Sequence, residues 1–477
     1  MSNYAWKSRL RAIVGNDFLL DDAAALLAYE SDALTLFRCQ PAAVVLPADA
    51  DQVAACVAVL FQAQIPFAAR GAGTGLSGGA LVAAGGVVLA LTRLKRIHHL
   101  DVQKRVAIVD PGVVNLDLSR AAEPYGLRYA PDPASQSVST LGGNMAENAG
   151  GPMCFLHGST ANHVLAADVV LPDGRRETWG NVHGDPEDLD LRGFLCGSEG
   201  TVAIAVRLYL KLLPIPEKVV TLLAAFHSIA AACSAVSAIV AAGLRPVALE
   251  VMDQATIRAV ENSVYRAGLP TEAGAVLIIE AEGPAQTVAH DVRCIEELLT
   301  NFELLRLERA ETPQQRLAVW KGRKGAGGAL GRLAPDSYVM DGVVPRSKLA
   351  EIMEYVAVVA AESGLAVANL FHAGDGNIHP HFCYDARDPE QAALVENSGA
   401  KILRRCLELG GSISGEHGIG LEKQHLLAEQ FGAAEIALME RLRRVFNPQD
   451  LMNPGRGLPL GKGCAEAFHR HGRIQNG

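Results

Sequence analysis

A run of glycines between two strand-like segments constrains the fold of this chain more than any other feature. Five of the nine residues Gly71–Gly79 are glycine, and the apolar segments Ile65–Arg70 and Val87–Leu91 flank them. A Rossmann fingerprint needs a helix that opens from its glycines, and a Walker A loop needs a closing Gly-Lys-Ser/Thr. Neither follows here, so the sequence excludes both of these nucleotide-binding folds.

Two further small-residue loops follow, at Pro131–Gly151 and Gly197–Ile204. A flexible turn and a backbone nest for a pyrophosphate both fit the first loop, and its glycine density favours the nest. Long loops inside compact domains are usually functional. Three such loops in the first half of the chain predict one large ligand.

A second motif gathers imidazoles and carboxylates. His372 and His379 lie on either side of a Gly-Asp-Gly-Asn turn, and Glu416 and His417 follow later in the chain. Neutral imidazole and carboxylate suit divalent Zn, Mn, Fe or Co. With 14 histidines in the chain, chance clustering and a metal site both remain open from the residues alone. A metal-dependent hydrolase with a bound water is one function that would fit.

Composition excludes several classes of protein. A net charge of −9 argues against a nucleic-acid partner. The nine cysteines are scattered without a Cys-x-x-Cys pair, which argues against a disulfide framework and an iron–sulfur cluster. Residues Met1–Leu10 contain no apolar h-region and no cleavage site, so we do not expect secretion. The longest apolar stretch, Ile229–Leu244, is too short and too weakly hydrophobic to span a membrane. We therefore expect a cytoplasmic protein.

The order of apolar and turn-forming segments predicts several parts. Residues 1–40 read as helical, including Asp21–Glu30, and strands and a helix alternate from residue 42 to the first glycine loop. Paired prolines in Leu213–Pro216 mark a boundary. Two strand–helix–strand units between Thr221 and Arg309 then indicate an internal α+β duplication. Turn formers end the last helix at Phe446–Arg456.

In this order, the motifs resemble those of the FAD-linked oxidoreductases of the vanillyl-alcohol-oxidase/PCMH type that act on D-2-hydroxy acids. The resemblance covers nearly the whole chain, and bacterial enzymes that oxidise glycolate are most similar, at Trp320–Lys324, Ala373–Pro380 and Cys464–Glu466. D-lactate dehydrogenases are near neighbours. The resemblance implies an α+β protein with four parts: a helical segment 1–40, a PCMH-type FAD-binding domain 41–215, a ferredoxin-like FAD-linked oxidase C-terminal (cap) domain 216–430 with the metal site, and a segment 431–477 returning to the flavin.

FAD would be bound without a covalent link. Some relatives attach the flavin through a His in the first loop or a Cys in the second, whereas this chain has Thr74 and no Cys between Pro131 and Gly151. By resemblance, the FAD-contacting residues come from the three loops and from the Asn453-Pro-Gly motif. They are Arg70, Gly71, Ala72, Gly73, Thr74, Gly75, Gly79, Pro131, Ser137, Thr140, Gly142, Gly143, Asn148, Glu199, Gly200, Ile204 and Asn453.

The resemblance also assigns the catalytic groups. His372, His379 and Glu416 match the family's ligands for a divalent metal (Zn, Mn or Fe), and His417 matches its proposed base. A metal chelated by the substrate hydroxyl lowers that hydroxyl's pKa, so His417 can take the proton near neutral pH while the flavin accepts the hydride. Arg323 matches an arginine near the substrate carboxylate, which suits its planar fork. A helix-surface arginine is the alternative.

Two departures from the family pattern indicate a small substrate. Relatives that act on D-2-hydroxyglutarate have a lysine for the second carboxylate, whereas Ser337–Asp341 contains no basic residue and the next one is Arg346. Those relatives also have an asparagine where this chain has His381. We therefore expect oxidation of glycolate to glyoxylate, with D-lactate to pyruvate as the alternative.

Without cysteine clusters or a nicotinamide fingerprint, the electrons must leave through a partner subunit or a quinone. The resemblance implies a second flavin-domain subunit and an iron–sulfur subunit, through which the protein could attach to the inner membrane. A non-catalytic FAD-binding subunit of such a complex is a rival hypothesis. It predicts loss of the C-terminal histidines, which are present here.

Overall fold

The computed structural model describes residues 5–183, 189–310 and 312–459. The predicted similarity at Cys464 and the start of the chain before Ala5 lie outside these ranges. The chain forms two compact units. The first comprises the chain up to Ala149, Ser159–Ile215 and the chain from Glu416 onward; the second comprises Gly150–Gly158 and Pro216–Gly415.

One sheet of the first unit is mostly parallel. Its strands in spatial order are Leu19–Leu20, Ala43–Val45, Val87–Ala90 and Phe67–Arg70, and only the first pairs antiparallel. The helix Ala50–Ala63 connects two of these strands, and the Asp49 carboxylate caps it by accepting the Gln52 N–H at 2.8 Å. Its buried face packs on the sheet as part of one apolar core.

A second sheet of the first unit is antiparallel. Its strands in spatial order are Ile97–Asp101, Val106–Val109, Ile204–Lys211, Val164–Val170 and Arg176–Gly180. A short pair, Leu127–Arg128 with Leu213–Pro214, lies apart from it. The central strand Ile204–Lys211 begins directly after the third glycine loop, so the sheet fixes where that loop ends.

The described residues of the first unit also form α-helices. They are Ala5–Val14, Ala23–Leu27, Ala50–Ala63, Asn115–Ala122, Leu141–Glu147, Leu191–Leu195, Leu427–Gln430 and Ala433–Phe446. The prediction of a helical segment over residues 1–40 is therefore only partly right. Gly15, with φ of 88°, follows the first helix, a two-residue strand comes next, and residues 28–42 form no α-helix.

The second unit is built on one large sheet with a ferredoxin-like part. Four neighbouring antiparallel strands, in spatial order, are Leu304–Arg309, Lys218–Phe226, Ala275–Gly283 and Ala248–Asp253. The helices Ile229–Ala241 and Ala285–Leu299 connect them in two strand–helix–strand units. This arrangement confirms the predicted α+β duplication, since each unit contributes one inner and one outer strand.

The sheet continues with strands that carry the histidine motif. Ala366–His372 pairs antiparallel with Ala248–Asp253, and the further strands are Asn377–Ile378, Gly342–Val343, Pro380–Tyr384 and Asp336–Val339. The remaining α-helices of this unit are Cys154–His157, Gln254–Glu261, Pro313–Leu330, Leu349–Ser363 and Pro389–Glu408. Glu250 and His372 are direct partners in the pairing register, so their side chains share one face of the sheet.

One predicted loop is wrong. Pro131–Gly151 contains the helix Leu141–Glu147, which the Thr140 hydroxyl caps by accepting the Gly143 N–H at 3.4 Å. Two glycines in its first turn lower helix propensity and hide the helix from sequence patterns.

Across the described ranges of both units, no helix combines the length and hydropathy that a membrane span requires.

Candidate active site

A pocket in the first unit brings most of the predicted FAD residues together. Its lining comes from all three glycine-rich loops and from Glu416 and His417. The predicted cofactor residues in this lining are Arg70, Gly71, Ala72, Gly73, Thr74, Gly75, Gly79, Thr140, Gly142, Gly143, Glu199, Gly200 and Ile204.

At several glycines the pocket wall is bare backbone, because a side chain would not fit there. A Cβ on Gly71 would come within 2.2 Å of Thr140 Oγ1, and a Cβ on Gly142 within 2.5 Å of Pro111 Cβ. Gly73 has φ of +72°, and a Cβ on it would meet the Arg70 guanidinium at 2.3 Å. Bare amides beside a buried guanidinium form a cradle that fits a pyrophosphate.

Arg70 lies in a buried charged environment at this wall. Burial lowers its pKa, and the charge of Asp32 acts in the opposite direction. Burial raises the pKa of Asp32 itself to about 6, although its Oδ1 accepts the Leu34 N–H at 3.0 Å. An anionic ligand would therefore meet the Arg70 cation, whose neighbouring acid becomes partly protonated as the pH falls toward 6.

Four predicted FAD residues lie outside the pocket lining: Pro131, Ser137, Asn148 and Asn453. Pro131 is buried and Ser137 is exposed. The side chains of Asn148 and Asn453 form hydrogen bonds with other segments of the first unit. Asn148 Oδ1 accepts hydrogen bonds from Ser159 Oγ and the Ala161 N–H, and Asn453 Nδ2 donates to the carbonyls of Gly79 and Glu199.

Glu199 reaches a part of the chain that its sequence position did not predict. Its carboxylate accepts the N–H groups of Ile419 at 2.7 Å and Gly420 at 2.8 Å. These residues follow His417 closely, and Lys423 Nζ donates to the carbonyl of Gly418 in the same segment. The backbone after His417 is therefore fixed from two sides.

Glu147 is a pocket residue that the sequence reasoning missed. It ends the unpredicted helix Leu141–Glu147 and lines the pocket. Burial raises its pKa well above the ordinary value, and the charges of Glu199 and Asp32 add to the effect. A lone acid in a stretch of small residues was the signal that could have found it.

Glu416 and His417 also belong to the first unit. Both line the pocket, and their closest ionisable atoms, Glu416 Oε1 and His417 Nε2, are 4.0 Å apart. Their side chains are mostly but not fully buried, at 16% and 11% exposure. An imidazole at the pocket surface can exchange a proton with a bound molecule.

In the second unit, His372 and His379 lie close together. Their ring centroids are 5.1 Å apart at an interplanar angle of 83°. The turn between them contains Gly376, at φ of +84°, where a Cβ would come within 2.1 Å of the Val344 carbonyl oxygen. Only glycine permits this turn, so the sequence motif fixes the pairing of the two imidazoles.

Glu250 connects His372 with Arg323. Its Oε1 is 2.8 Å from His372 Nδ1, and its Oε2 is 2.6 Å from Arg323 Nη2. Burial alone would raise the pKa of Glu250, but the charges of His372 and Arg323 outweigh it and leave the pKa below its ordinary value. Sequence reasoning missed Glu250, although an acid between the apolar residues Leu249 and Val251 of the same strand was an available signal.

Asp341 is a third buried acid that the sequence reasoning did not predict. Its carboxylate accepts hydrogen bonds from Asn377 Nδ2 at 2.9 Å, Ser414 Oγ at 2.7 Å and the Gly415 N–H at 3.1 Å. Its Oδ1 lies 3.5 Å from His379 Nε2. The loop that leads to Glu416 is therefore anchored beside His379.

The predicted catalytic residues are thus divided by the fold. His372, His379 and Arg323 meet in the second unit, whereas Glu416 and His417 belong to the first. His381, on the strand Pro380–Tyr384, lies 3.2 Å from Ser337 Oγ through its Nδ1.

Comparison with known protein families gives two matches along the chain. A family model described as FAD binding domain matches residues 41–180, and one described as FAD linked oxidases, C-terminal domain, matches residues 215–456. The chain belongs to the FAD-linked oxidase family. FAD is its cofactor, and the predicted class of FAD-linked oxidoreductase is confirmed.

Two curated relatives are similar to this FAD-linked oxidase over most of its length. Glycolate oxidase subunit GlcD of Escherichia coli strain K12 is 42% identical, over 94% of this chain and 90% of its own length. D-lactate dehydrogenase of Anaerostipes hadrus is 32% identical, over 94% of each chain.

Among solved structures, p-cresol methylhydroxylase with substrate bound is similar to this FAD-linked oxidase at a TM-score of 0.78. Identity is 16%, and the match covers 95% of this chain and 96% of that one. At this identity the likeness establishes the fold alone. It confirms the predicted PCMH-type fold.

Proposed function

We propose that this FAD-linked oxidase oxidises a small 2-hydroxy acid, glycolate to glyoxylate, with D-lactate to pyruvate as the alternative. The buried pair His372 and His379 carries the proposal, because it offers two imidazole ligands on a chain that binds a hydride-accepting cofactor. Identity to a glycolate oxidase subunit and to a D-lactate dehydrogenase supports the same substrate class.

The first-unit pocket would hold FAD without a covalent bond. Gly71, Gly73 and Gly142 leave backbone amides exposed to the pyrophosphate, and the Arg70 guanidinium lies beside them. Thr74 offers no imidazole for a flavin link. FAD, when bound, supplies the acceptor for the hydride from the substrate's C2.

His372, His379 and Glu416 would hold a divalent ion such as Zn, Mn or Fe. The donor set fits, since imidazole and carboxylate are usual ligands for these ions. Because Glu250 accepts from His372 Nδ1, the other ring nitrogen, Nε2, would be the ligand atom. The ion, when bound, supplies a Lewis acid that lowers the pKa of the substrate hydroxyl.

His417 would accept the hydroxyl proton, since a neutral imidazole is suited to that role near pH 7. Arg323 would stand near the substrate carboxylate, with one of its nitrogens already held by Glu250. Ser337–Asp341 provides no cation for a second carboxylate. These residues together favour a substrate with one carboxylate and a short chain.

The electrons would leave through partner subunits. The Escherichia coli relative is named as a subunit, which supports assembly of this chain with other chains. We propose a second flavin-domain subunit and an iron–sulfur subunit, in the cytoplasm and attached to the inner membrane through these partners.

Anaerobic flavin reduction tests the substrate. The purified protein is mixed with glycolate, D-lactate, L-lactate or D-2-hydroxyglutarate, and flavin absorbance is followed. We expect bleaching by glycolate, or by D-lactate for the alternative, and slower or no bleaching by D-2-hydroxyglutarate. A flavin-loaded protein that neither glycolate nor D-lactate reduces would contradict the proposal. Acid precipitation should release the flavin into solution, because we propose no covalent link.

A further inference from the structure

Glu250 and His372 form a buried carboxylate–imidazole pair. They are opposite each other on the paired strands Ala248–Asp253 and Ala366–His372. Their side chains are 1% and 8% exposed, and Glu250 Oε1 is 2.8 Å from His372 Nδ1. Since a carboxylate can only accept, Nδ1 carries the proton and donates it in this hydrogen bond.

The other carboxylate oxygen of Glu250 is bound to Arg323. The distance from Oε2 to Nη2 is 2.6 Å, and the Arg323 side chain is 4% exposed. A buried carboxylate needs such a partner, because an unpaired charge is costly in the interior. Arg323 therefore neutralises Glu250 without competing for the oxygen that faces His372.

The helix that carries Arg323 is held to the sheet by another glutamate. Glu280, on the strand Ala275–Gly283, accepts from Arg316 Nη2 at 2.7 Å and from Trp320 Nε1 at 2.6 Å. Arg316, Trp320 and Arg323 share one face of the helix Pro313–Leu330. Glu280 thus fixes the helix and touches no ligand, whereas Glu250 touches a histidine of the motif.

We propose that Glu250 is a positioning residue for the metal ligand His372. It fixes the Nδ1–H tautomer and the orientation of the ring, so that Nε2 is presented to a divalent cation. This inference rests on the proposed metal site. Carboxylate partners of ligating histidines typically change metal affinity 10–100-fold when they are removed.

The test compares Glu250→Gln with Glu280→Gln. Both changes remove one buried charge from the same sheet and leave an arginine of the same helix without its carboxylate. ZnCl2 is titrated calorimetrically into metal-stripped, FAD-loaded protein of each kind. We expect one Zn2+ per wild-type chain, a Kd raised about 10–100-fold by Glu250→Gln, and a Kd unchanged by Glu280→Gln.

Three outcomes would overturn the inference in different ways. If wild type binds Zn2+ and Glu250→Gln binds it equally well, Glu250 does not position His372, and the proposed function stands. If wild type binds neither Zn2+ nor Mn2+, the proposed metal site fails and the inference fails with it. Equal weakening by both variants would indicate a general loss of packing and would also refute a specific role.

A double variant covers the case in which Glu250→Gln does not fold. Glu250→Gln with Arg323→Met removes both buried charges and leaves none unpaired. The Zn2+ affinity of the double variant should fall as much as that of Glu250→Gln. The Zn2+ affinity of Arg323→Met alone should fall less, because Glu250 can still accept the hydrogen bond from His372. Equal affinities of the double variant and wild type would reject the proposal.

Discussion

The pocket of the first unit and the histidine pair of the second are built in opposite ways. The pocket wall includes stretches of bare backbone, and at Gly71 and Gly142 a single Cβ would collide with a neighbour. The histidine pair depends on side chains that other buried side chains orient, as Glu250 orients His372. A large cofactor requires room and amides, whereas proton and metal chemistry requires ionisable groups in fixed directions.

This difference predicts two kinds of defect. Changes in the wall should weaken FAD binding or stability and spare the rate at saturating FAD. Changes in the imidazoles should lower the rate while FAD stays bound. His417 sharpens the comparison, because it is an imidazole in the lining of the pocket.

The largest expected effect is that of His417→Ala. FAD and metal should remain bound, and flavin reduction by glycolate or D-lactate should slow about 10²–10⁴-fold, the usual contribution of a general base. Stopped-flow bleaching measures the rate, with His99→Ala, an exposed histidine of the same unit, as the control. An unchanged rate would remove His417 from the role of base.

His379→Ala should lower metal content and activity together. Loss of a Lewis acid is expected to slow flavin reduction roughly a hundredfold, and FAD should still bind because the pocket lies in the other unit. Metal analysis and stopped-flow bleaching are made on the same preparation. Full activity of metal-stripped wild type would show that the ion has no part in the reaction.

Asp32→Asn tests the pocket wall through pH. The folded pKa of Asp32 is raised to about 6 from 3.8, so the stability linked to its proton is present below the unfolded pKa and is lost as pH rises through about 6. Between pH 4 and 7, Asp32→Asn should gain up to roughly 3 kcal/mol in free energy of unfolding relative to wild type.

Urea unfolding at several pH values measures this gain, with the exposed Asp17→Asn as the control. A stability difference between Asp32→Asn and wild type that does not vary with pH would contradict the raised pKa. FAD is kept at the same concentration for every protein, and the contribution of binding is subtracted by means of the measured FAD affinity.

The smallest effect is expected for Gly142→Ala. The added Cβ would lie 2.5 Å from Pro111 Cβ, and relief of such a contact costs roughly 2 kcal/mol. FAD affinity should fall accordingly, while the rate at saturating FAD stays near the wild-type value. In the control Gly143→Ala, the atom nearest to the added Cβ is Thr140 Oγ1, 3.2 Å away. We therefore expect Gly143→Ala to bind FAD more tightly than Gly142→Ala does. Equal FAD affinities of the two variants would contradict close packing of the backbone at Gly142.

The parts of the site that depend on local patterns could be predicted from the sequence. Gly71–Gly79 and the turn between His372 and His379 are recognisable because glycine reports the backbone conformation directly. Glu250 could not be assigned in this way, because its partner His372 is 122 residues away and strand pairing alone brings them together. The helix Leu141–Glu147 was missed because its cap at Thr140 outweighs the low propensity of two glycines.

Hydrogen bonds join two segments of the first unit that are far apart in the sequence. Asn453 donates to the carbonyl of Gly79, 374 residues earlier, and the Phe67 N–H donates to the carbonyl of Leu451. During synthesis, every residue of the second unit therefore leaves the ribosome before the first unit can be completed. Contacts of such high sequence separation form slowly, so the first glycine loop cannot bond to its closing segment until Leu451–Asn453 has been synthesised.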